Sequence, residues 1–354
     1  MKIAQIAPLC EAVPPRLYGG TERVVAHLTE ALVEQGHEVT LFAAGDTVTS
    51  AELVVARDSP LRLDPAPLKS EVASHLTELD EVRRRADEFD VLHFHVELLH
   101  FPLFEHMASR TLTTLHSRQD IADLPEAYER WRAFPLVSIS DHQRTPLPNA
   151  NWYATVHHGM NPDGYQYSAR GSGDYLAFLG RMSPEKRPDR AIEIAKAAGV
   201  PLKIAAKVDD VDRAYFEERI QPLLDSPLVE FIGEIGDKEK SEFLGNARAL
   251  LFPIDWPEPF GLVMIEAMAC GTPVIAWRCG SVPEVVDQGR TGLIVDDMAQ
   301  AVAAVDAVRR LPRALVRKTF EQRFTAHAMA ERYAKLYWQI ARGGRGGRRE
   351  SEAA

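Results

Sequence analysis

The chain has 354 residues, of which 45% are apolar and 26% charged, enough apolar content for the cores of two globular domains. Its 41 Lys and Arg against 51 Asp and Glu give a formal net charge of −10, which argues against nucleic acid as the main partner. The three cysteines, Cys10, Cys270 and Cys279, show neither a pairing pattern nor metal-ligand spacing. This excludes a disulfide framework and favours a reducing compartment.

No targeting signal is apparent in the sequence. The first residues, "MKIAQIAPLC", form an apolar run too short for a signal peptide, and no run reaches the length that spans a bilayer. We therefore expect a cytoplasmic protein. Peripheral membrane contact stays open, although no basic amphipathic helix supports it strongly. The oligomeric state is equally open.

Apolar runs typical of strands alternate with helical patterns from the first residues onward. The run "KIAQIAP" precedes the helical pattern "TERVVAHLTEALVEQG", which is followed by "HEVTLFAA", "DVLHFHV", "RTLTTLH" and "PLVSIS". Such alternation is typical of parallel sheets covered by helices. It predicts an α/β, doubly wound, Rossmann-like domain over residues 1–165.

The segment "MNPDGYQYSARGSGD" interrupts the alternation and has the composition of an interdomain linker. The alternation then restarts with "YLAFLGR", "PLKIAAK", "LVEFIG", "ALLFP", "TPVIAW" and "TGLIV", which predicts a second doubly wound domain over 172–325. Since ligands of such sheets bind beyond the carboxyl ends of the strands, we expect the two domains to face a central cleft.

A helical pattern over 326–341 ends the periodic part of the chain. The Gly- and Arg-rich tail at 342–354 is predicted to be disordered. Its arginines could touch RNA or acidic lipid, but a solvated end is the favoured interpretation.

The stretch "EPFGLVMIEAMACGTPVIA" places Glu258 and Glu266 on either side of a predicted helix start. The prolines flanking Glu258 keep that residue on a loop. Helical spacing begins near Gly261, and Gly271 with the following proline predicts the end of the helix, so Glu266 lies inside it.

The start of this helix has no residue suited to cap it. Phe260, Gly261 and Leu262 offer no Ser, Thr, Asp or Asn side chain to accept the free N–H groups. Uncapped starts that follow a loop in α/β proteins are common phosphate sites. On this stretch alone, capping by water, with Glu258 as a surface acid, is an equally valid interpretation.

A cluster of cations follows the strand "YLAFLG". Arg181 is predicted at the strand end, and Lys186 and Arg187 lie in the next loop. Two or three cations there could converge on one diphosphate. A solvated charged loop is the alternative, but the uncapped helix at the end of another strand of the same domain favours phosphate.

The first domain offers a glycine pair and several histidines. Gly19 and Gly20 lie between the first strand and the first helix, where glycines let a backbone approach a ligand, although a plain turn fits equally well. His93 and His95 would share one strand face, but no further ligand has convincing metal spacing, so we expect them to be core or cleft histidines. His116, at the end of a strand, is the strongest functional candidate.

Four motifs together resemble a known family over nearly the whole chain. "YGGTERVV", "GRMSPEKR", "PEPFGLVMIEAMACGTPVIA" and "GSVPEVVDQGRTGLIV" resemble the retaining nucleotide-sugar glycosyltransferases of the GT-B type, the group-one (family four) glycosyl transferases. The N-terminal half also resembles bacterial pterin glucosyltransferase-like proteins. The resemblance implies two Rossmann-like domains, a donor bound mainly by the second, no metal and no cofactor beyond the nucleotide-sugar co-substrate. It also implies a last helix that crosses back to the first domain.

The resemblance assigns roles to particular residues in the second domain. Arg181 and Lys186 would clamp the diphosphate, and Glu258 would bind hydroxyls of the transferred sugar. Glu266 would bind the ribose. The remaining donor-binding positions that it implies in this domain are Phe260, Gly261, Leu262 and, in the base-binding loop, Ile235.

In the first domain, the resemblance makes Gly20 the glycine that closes onto the phosphates and His116 the histidine near the sugar. The chain departs from many relatives at "IAAKVDD", where a Gly-rich turn is replaced and Lys207 would lie beside the nucleotide.

The resemblance therefore implies a metal-independent hexosyltransferase with retention of configuration. A UDP-glucose-like donor is expected first and GDP-mannose second, with a small-molecule, glycan or lipid-linked hydroxyl acceptor. A nucleotide-sugar epimerase or glycosidic-bond phosphorylase on the same architecture is the alternative. A nicotinamide-dependent oxidoreductase is disfavoured because the G-x-G-x-x-G fingerprint is missing. A catalytically silent sensor is disfavoured because both glutamates and the cation pair are present.

Overall fold

A computed structural model describes residues 1–16, 19–171 and 173–351 of the chain, and its side chains up to residue 343. Contacts divide the chain into two compact units, Met1–Met160 with Ala326–Ala354, and Asn161–Thr325. We call them the first and the second domain.

The first domain is built on one parallel sheet. Seven strands form it among the described residues, in the order β3-β2-β1-β4-β5-β6-β7. The strands are β1 (Lys2–Ile6), β2 (Glu38–Ala44), β3 (Glu52–Arg57), β4 (Val91–Phe94), β5 (Thr111–Thr114), β6 (Leu136–Ser138) and β7 (Trp152–Thr155). The helices are α1 (Gly20–Glu34), α2 (Glu71–Arg85), α3 (Phe101–Phe104) and α4 (Leu124–Arg130).

The second domain repeats this plan. Within its described residues, six parallel strands have the order β10-β9-β8-β11-β12-β13. The strands are β8 (Leu176–Arg181), β9 (Leu202–Lys207), β10 (Val229–Gly233), β11 (Ala249–Phe252), β12 (Val274–Trp277) and β13 (Gly292–Val295). The helices are α5 (Pro188–Ala198), α6 (Arg213–Tyr215), α7 (Asp237–Asn246), α8 (Leu262–Ala269), α9 (Val282–Val285), α10 (Met298–Ala307) and α11 (Arg313–Arg323).

The predicted fold class, two doubly wound α/β domains, is confirmed. Both sheets are parallel, and the central strands β4, β5 and β11 are buried throughout because helices cover them. In each sheet the chain first builds outward on one side of its first strand and then continues on the other. This reversal creates a switch point between β1 and β4 in the first domain and between β8 and β11 in the second.

Local sequence signals set the limits of helix α5. It begins with Pro188, whose fixed φ suits the first helical position, and buries Ala191, Ile192, Ile194 and Ala195 on one face. It ends at Gly199, which adopts the left-handed conformation with φ of +66°.

Several elements differ from the sequence prediction. Strands β3 and β7 were not predicted, and both are partly exposed. The spacing of apolar residues in "AYFEERIQPLL" predicts one helix, but the stretch is not regular: after α6 it forms a π-helical turn over Phe216–Ile220 and a 3-10 turn over Gln221–Leu223. Pro222 lacks an N–H group, which prevents a continuous α-helical hydrogen-bond ladder there.

The last helix, α12 (Ala326–Ser351), belongs to the first domain and packs on α1 and β4. The structure continues this helix past Ala341, where a disordered tail was predicted. The segment contains no proline, and its arginines have good helix propensity despite the glycines. Residues 352–354 lie outside the described residues. None of the described helices combines the length and apolar content that crossing a bilayer requires.

Candidate active site

The loops that follow β8 and β11 are neighbours in the second domain because these two strands pair. The first loop contains one 3-10 turn, Pro184–Lys186, and the second leads to the start of α8. The backbone N–H of Asp255 donates to the carbonyl of Glu185 at 2.9 Å, which joins the two loops. These loops lie at the switch point of the sheet, where open α/β sheets bind ligands.

Lys186 and Glu258 meet at this point. Their side chains form an ion pair. The indole N–H of Trp256 donates to the same Glu258 carboxylate at 2.9 Å, and the Lys186 ammonium lies 4.7 Å from the centre of the Trp256 ring. Only 8% of Glu258 is exposed. An ion pair, a charge-assisted hydrogen bond and a cation–π contact therefore hold the cation beside the acid.

Gly280 fixes the backbone of Glu258. It has a φ of +57°, and a Cβ atom there would lie 2.4 Å from both the backbone N and O of Glu258. The N–H of Ser281 donates to the Glu258 carbonyl at 3.0 Å. The left-handed conformation and the close approach both require glycine. Gly280 begins the motif "GSVPEVVDQGRTGLIV", but no role was predicted for it from the sequence.

Arg181 ends β8 as predicted, but acids surround its guanidinium. It pairs with Glu185 and lies 3.8 Å from Asp209 and 3.9 Å from Asp212. Asp209 also pairs with Lys207 at 2.8 Å. The Nε atom of Arg181 is buried without a hydrogen-bond partner in the described part of the chain. The cations thus meet in this region, but each already has a carboxylate partner. These acidic partners were not predicted from the sequence. We call Arg181, Glu185, Lys186, Trp256 and Glu258 the charged corner.

Helix α8 has the predicted uncapped start. Gly261 is its N-cap with φ of +79°, and no side-chain capping hydrogen bond is present in the part of the chain that the structure describes. A Cβ atom on Gly261 would lie 2.9 Å from the end of Met264 and 3.0 Å from the Phe252 ring. Leu262, the first helical residue, is partly exposed. The tip of α8 therefore carries the partial positive charge of a helix N-terminus.

Phe260 contributes to the core rather than to an open site. Its side chain is 2% exposed and packs edge-on against Phe324, with 6.1 Å between ring centres. The hydroxyl of Ser281 donates to the Phe260 carbonyl at 2.8 Å. The predicted contact of Phe260 with a donor can therefore involve only its main chain.

Glu266 lies inside α8, as predicted, and is 4% exposed. Its Oε1 accepts hydrogen bonds from the Tyr165 hydroxyl at 2.9 Å and from the Lys240 ammonium at 3.0 Å. Neither partner was identified from the sequence. Ile235 lies in the loop between β10 and α7 and is partly buried. Among the described residues, no direct contact joins Ile235 to the charged corner.

In the first domain, His116 lies two residues beyond the end of β5. Its Nε2 is 2.9 Å from Nδ1 of His95, and its ring stacks on His158 with 5.3 Å between ring centres. Burial lowers the pKa of His116 to about 3, so the ring is neutral near pH 7. Its Nδ1 is buried and has no hydrogen-bond partner among the described residues.

Glu97 supports the backbone at His116. Its Oε1 accepts hydrogen bonds from the N–H groups of His116 at 2.9 Å and Ser117 at 3.0 Å. Glu97 itself has a φ of +51°, a conformation that non-glycine residues rarely adopt and that often accompanies functional sites. Nothing in the sequence pattern marked this residue, because its role depends on a partner 19 positions away.

The glycine pair predicted to approach a ligand lies at the start of α1. Gly20 is the first residue of α1. A Cβ atom on Gly19 would lie 2.7 Å from Pro15, so the glycine pair permits a close approach of the loop to the helix start. Tyr18, which begins the motif "YGGTERVV", and Leu17 before it lie outside the described residues.

His93 and His95 are buried, as expected, and they bond to other side chains. His93 contacts the Tyr337 hydroxyl and Thr114, each at 2.7 Å, and His95 contacts Gln5 at 2.8 Å. No three His, Cys, Asp or Glu side chains in the described ranges are placed to hold a metal ion.

Two family profiles match this chain. The profile of "Glycosyl transferases group 1" matches residues 166–314, and that of "Glycosyltransferase Family 4" matches residues 18–161. The chain is also 34% identical over 213 residues to the D-inositol 3-phosphate glycosyltransferase of Mycolicibacterium smegmatis. That alignment covers 52% of this chain and 45% of the relative, so it spans less than half of the relative's length.

Solved structures resemble the chain over nearly its full length. AviGT4, a glycosyltransferase involved in avilamycin A biosynthesis, is 25% identical with a TM-score of 0.73, covering 97% of this chain and 98% of that one. Anabaena Alr3699/HepE, crystallised with UDP and glucose, is 18% identical with a TM-score of 0.71, covering 96% and 100%. With both profiles matched in order and both parallel sheets in place, the chain belongs to the group 1 glycosyl transferases and has the GT-B fold that its motifs predicted.

Proposed function

We propose that this protein is a retaining glycosyltransferase that moves a hexose from a nucleoside diphosphate sugar to a hydroxyl group of an acceptor. The observation that carries the proposal is the Lys186–Glu258 ion pair beside the uncapped start of α8, at the switch point of the second sheet. The cation and the uncapped helix N-terminus suit a diphosphate, and the acid suits the hydroxyl groups of a sugar joined to it.

Lys186 and Glu258 would exchange their mutual ion pair for contacts with the donor when the donor binds. A diphosphate oxygen would replace the carboxylate of Glu258 as the partner of Lys186. Glu258, still held by the Trp256 indole, would then accept hydrogen bonds from sugar hydroxyls. The exchange keeps the Glu258 carboxylate hydrogen-bonded, which matters because Glu258 is buried and a buried carboxylate without hydrogen-bond partners is costly.

Arg181 would act on the same diphosphate. Its guanidinium already lies beside Glu185, Asp209 and Asp212. The phosphate would therefore bind to a cation that also has carboxylate partners. When the bond between the anomeric carbon and the diphosphate breaks, negative charge grows on the leaving group. Arg181, Lys186 and the N–H groups at Gly261 and Leu262 would stabilise that charge in the transition state.

Transfer with retention would proceed on one face of the sugar. The bond from the anomeric carbon to the diphosphate oxygen breaks, the bond to the acceptor oxygen forms, and the acceptor's proton passes to the departing diphosphate. We propose that this step needs no metal, because the cations and the helix tip of the second domain supply the positive charge.

The remaining predicted positions complete the proposal. Glu266, oriented by Tyr165 and Lys240, would bind the ribose, and Ile235 would contact the base. In the first domain, Gly20 would approach the phosphates and His116 would contact the transferred sugar.

UDP-glucose is the first donor to test, and GDP-mannose the second. The Anabaena protein of the same fold was crystallised with UDP and glucose, which supports a UDP-sugar as the starting point. We expect a panel of UDP-, GDP-, ADP- and dTDP-sugars to show one base whose sugar nucleotides stabilise the protein. A ligand present at a hundred times its Kd adds about 2.7 kcal/mol to the free energy of unfolding. A panel without any stabilising sugar nucleotide would refute the proposal.

Product analysis separates transfer from its alternatives. We expect release of the nucleoside diphosphate with the sugar linked to an added acceptor, and we expect the rate to be unchanged by EDTA. Conversion of donor without acceptor into an isomeric sugar nucleotide would instead indicate an epimerase. Dependence on inorganic phosphate and a glycoside would indicate a phosphorylase.

A further inference from the structure

A chain of buried polar groups leads from the last helix to His116. The Gln5 side-chain amide donates from Nε2 to the Tyr337 hydroxyl at 3.0 Å, and its Oε1 lies 2.8 Å from Nε2 of His95. Nδ1 of His95 in turn lies 2.9 Å from Nε2 of His116. We call Gln5, His95, His116 and Tyr337 the histidine relay. Gln5 and Tyr337 are completely buried, and all four residues belong to the first domain.

These contacts determine where the ring protons are. An amide oxygen can only accept, so the proton of His95 is on Nε2 and its Nδ1 carries a lone pair. That lone pair must receive a proton from Nε2 of His116. Burial lowers the pKa of both rings, so each carries a single proton. His116 is therefore protonated on Nε2 and presents an unprotonated Nδ1.

This Nδ1 is the one end of the relay without a partner. It is buried and accepts no hydrogen bond from the described residues. Buried acceptors without partners are uncommon and usually belong to a site completed by water or a ligand. A hydroxyl group, which can donate, would satisfy it, whereas a carboxylate or phosphate oxygen would not.

We propose that Gln5, anchored by Tyr337, fixes the tautomer of His116 so that its Nδ1 accepts a hydrogen bond from a hydroxyl of the transferred sugar. Gln5 and Tyr337 are thus positioning residues, while His116 touches the substrate. The identity of the hydroxyl-bearing ligand rests on the proposed function, but the tautomer does not.

A neighbouring tyrosine provides a matched control. Tyr333 lies one turn before Tyr337 on α12 and is equally buried, but its hydroxyl contacts Thr114 at 2.9 Å. Thr114 bonds to His93, so Tyr333 reaches Gln5 only through three further residues. Replacing Tyr333 removes a buried hydroxyl from the same helix without removing a group of the histidine relay.

The first test reads the tautomer directly. Long-range nitrogen–proton NMR of the histidine rings, with His116 assigned by His116→Gln, should show Nδ1 unprotonated and Nε2 protonated in the wild-type protein. Gln5→Met keeps the size and removes the amide, so His95 loses its acceptor and the proton of His116 should move to Nδ1. Tyr333→Phe should leave the tautomer unchanged. Protonation of Nδ1 in the wild type, or no change in Gln5→Met, would overturn the proposal.

The second test measures the consequence for a sugar, using UDP-glucose and UDP in calorimetry. In Gln5→Met the nitrogen that faces the sugar becomes an N–H donor, so the sugar hydroxyl can no longer donate to it and must turn to accept. The affinity for UDP-glucose should therefore fall about tenfold while the affinity for UDP stays the same. Tyr333→Phe should bind both as the wild type does. An equal loss for UDP and UDP-glucose would show a merely structural role and overturn the sugar contact. If the wild type bound neither ligand, the donor assigned under the proposed function would fail, while the NMR result would still decide the tautomer.

Discussion

The two domains place different chemistry at equivalent positions, the carboxyl ends of the strands beside each switch point. In the second domain these loops hold the charged corner, where Lys186 pairs with Glu258 and Arg181 with Glu185. In the first domain they hold His95 and His116 of the histidine relay, whose groups are neutral and hydrogen-bonded. The contrast extends to the whole domains, because all 12 histidines of the chain fall outside residues 161–325.

The two domains share one architecture, but the side chains at their strand ends suit different chemical groups of a ligand. Paired charges can exchange partners with an anionic ligand at little cost, which suits a diphosphate. A neutral buried acceptor binds a hydroxyl group, which can donate, and not a carboxylate or phosphate oxygen, which can only accept. The strand-end position is common to both domains, and the side chains decide which part of a ligand each would recognise.

The largest effect is expected when the charged corner loses its lysine. Lys186→Met removes the cation proposed to stabilise the leaving group, so UDP release from UDP-glucose should slow about a hundredfold or more. The control is Lys203→Met, which removes a partly exposed lysine that pairs with Glu230 at 3.2 Å near the other end of the sheet. Similar rates for both variants would remove the distinction between the charged corner and an ordinary surface ion pair.

Acid should act mainly on the first domain. The folded pKa of His116, about 3, lies below the ordinary value of 6.5, so the unfolded chain binds more protons between these values. Its contribution to stability is complete above pH 6.5 and is lost as the pH falls, by about 2 kcal/mol at pH 5. Burial also lowers the pKa of His93, His95, His100 and His158, which acts in the same direction. Burial raises the pKa of Glu22, Glu78 and Glu97, which opposes the effect, but these acids are fewer than the histidines.

Hydrogen exchange followed from pH 7.5 to pH 5 can measure the loss of stability in each domain separately. Peptides from the first domain should lose protection, while those from the second should change little. His116→Gln should reduce the pH dependence, and replacing the exposed His106 should not. Equal loss of protection in both domains would contradict the contrast.

Gly280 tests how closely the position of Glu258 is controlled. Gly280→Ala places a Cβ atom against the Glu258 backbone, so we expect UDP release from UDP-glucose to slow about tenfold and the unfolding free energy to fall by about 2 kcal/mol. Gly289→Ala is the matched control, because Gly289 also has positive φ but has open space around its Cβ position. If both variants behaved alike, backbone strain alone would account for the effect.

The smallest effect is expected at the proposed ribose contact. Tyr165→Phe removes one of the hydrogen bonds that orient Glu266, so the affinity for UDP should fall about fivefold, as for one lost hydrogen bond. The control is Tyr175→Phe, whose hydroxyl donates to the Phe243 carbonyl in the same domain at 2.6 Å. Calorimetry with UDP distinguishes them, and an unchanged affinity in Tyr165→Phe would argue against a ribose role for Glu266.

The sequence was sufficient where local rules decide the structure. Prolines around Glu258, the glycine at 261 and the 3.6-residue spacing after it predicted a loop, an uncapped start and a short helix, and all three are present. The end of β8 at Arg181 followed from its apolar run in the same way. These features depend on residues close together in the chain.

The partners of the predicted residues could not be found in this way. Lys186 and Glu258 are 72 positions apart, and Gln5 and Tyr337 are 332 positions apart. A charged residue in a pattern predicts a charge but not the acid that neutralises it. Gln5 carried one weak signal, since a polar residue inside the apolar run of a central strand requires a buried partner.

The contribution of α12 to the first domain has a consequence for synthesis of the chain. Residues 1–160 leave the ribosome long before Tyr337 exists, and until then the Gln5 amide and His93 lack the hydroxyl that they share. The second domain has all of its own strands by residue 295 and can finish first. Although its strands are translated first, the first domain is therefore completed after the second, by helix α12.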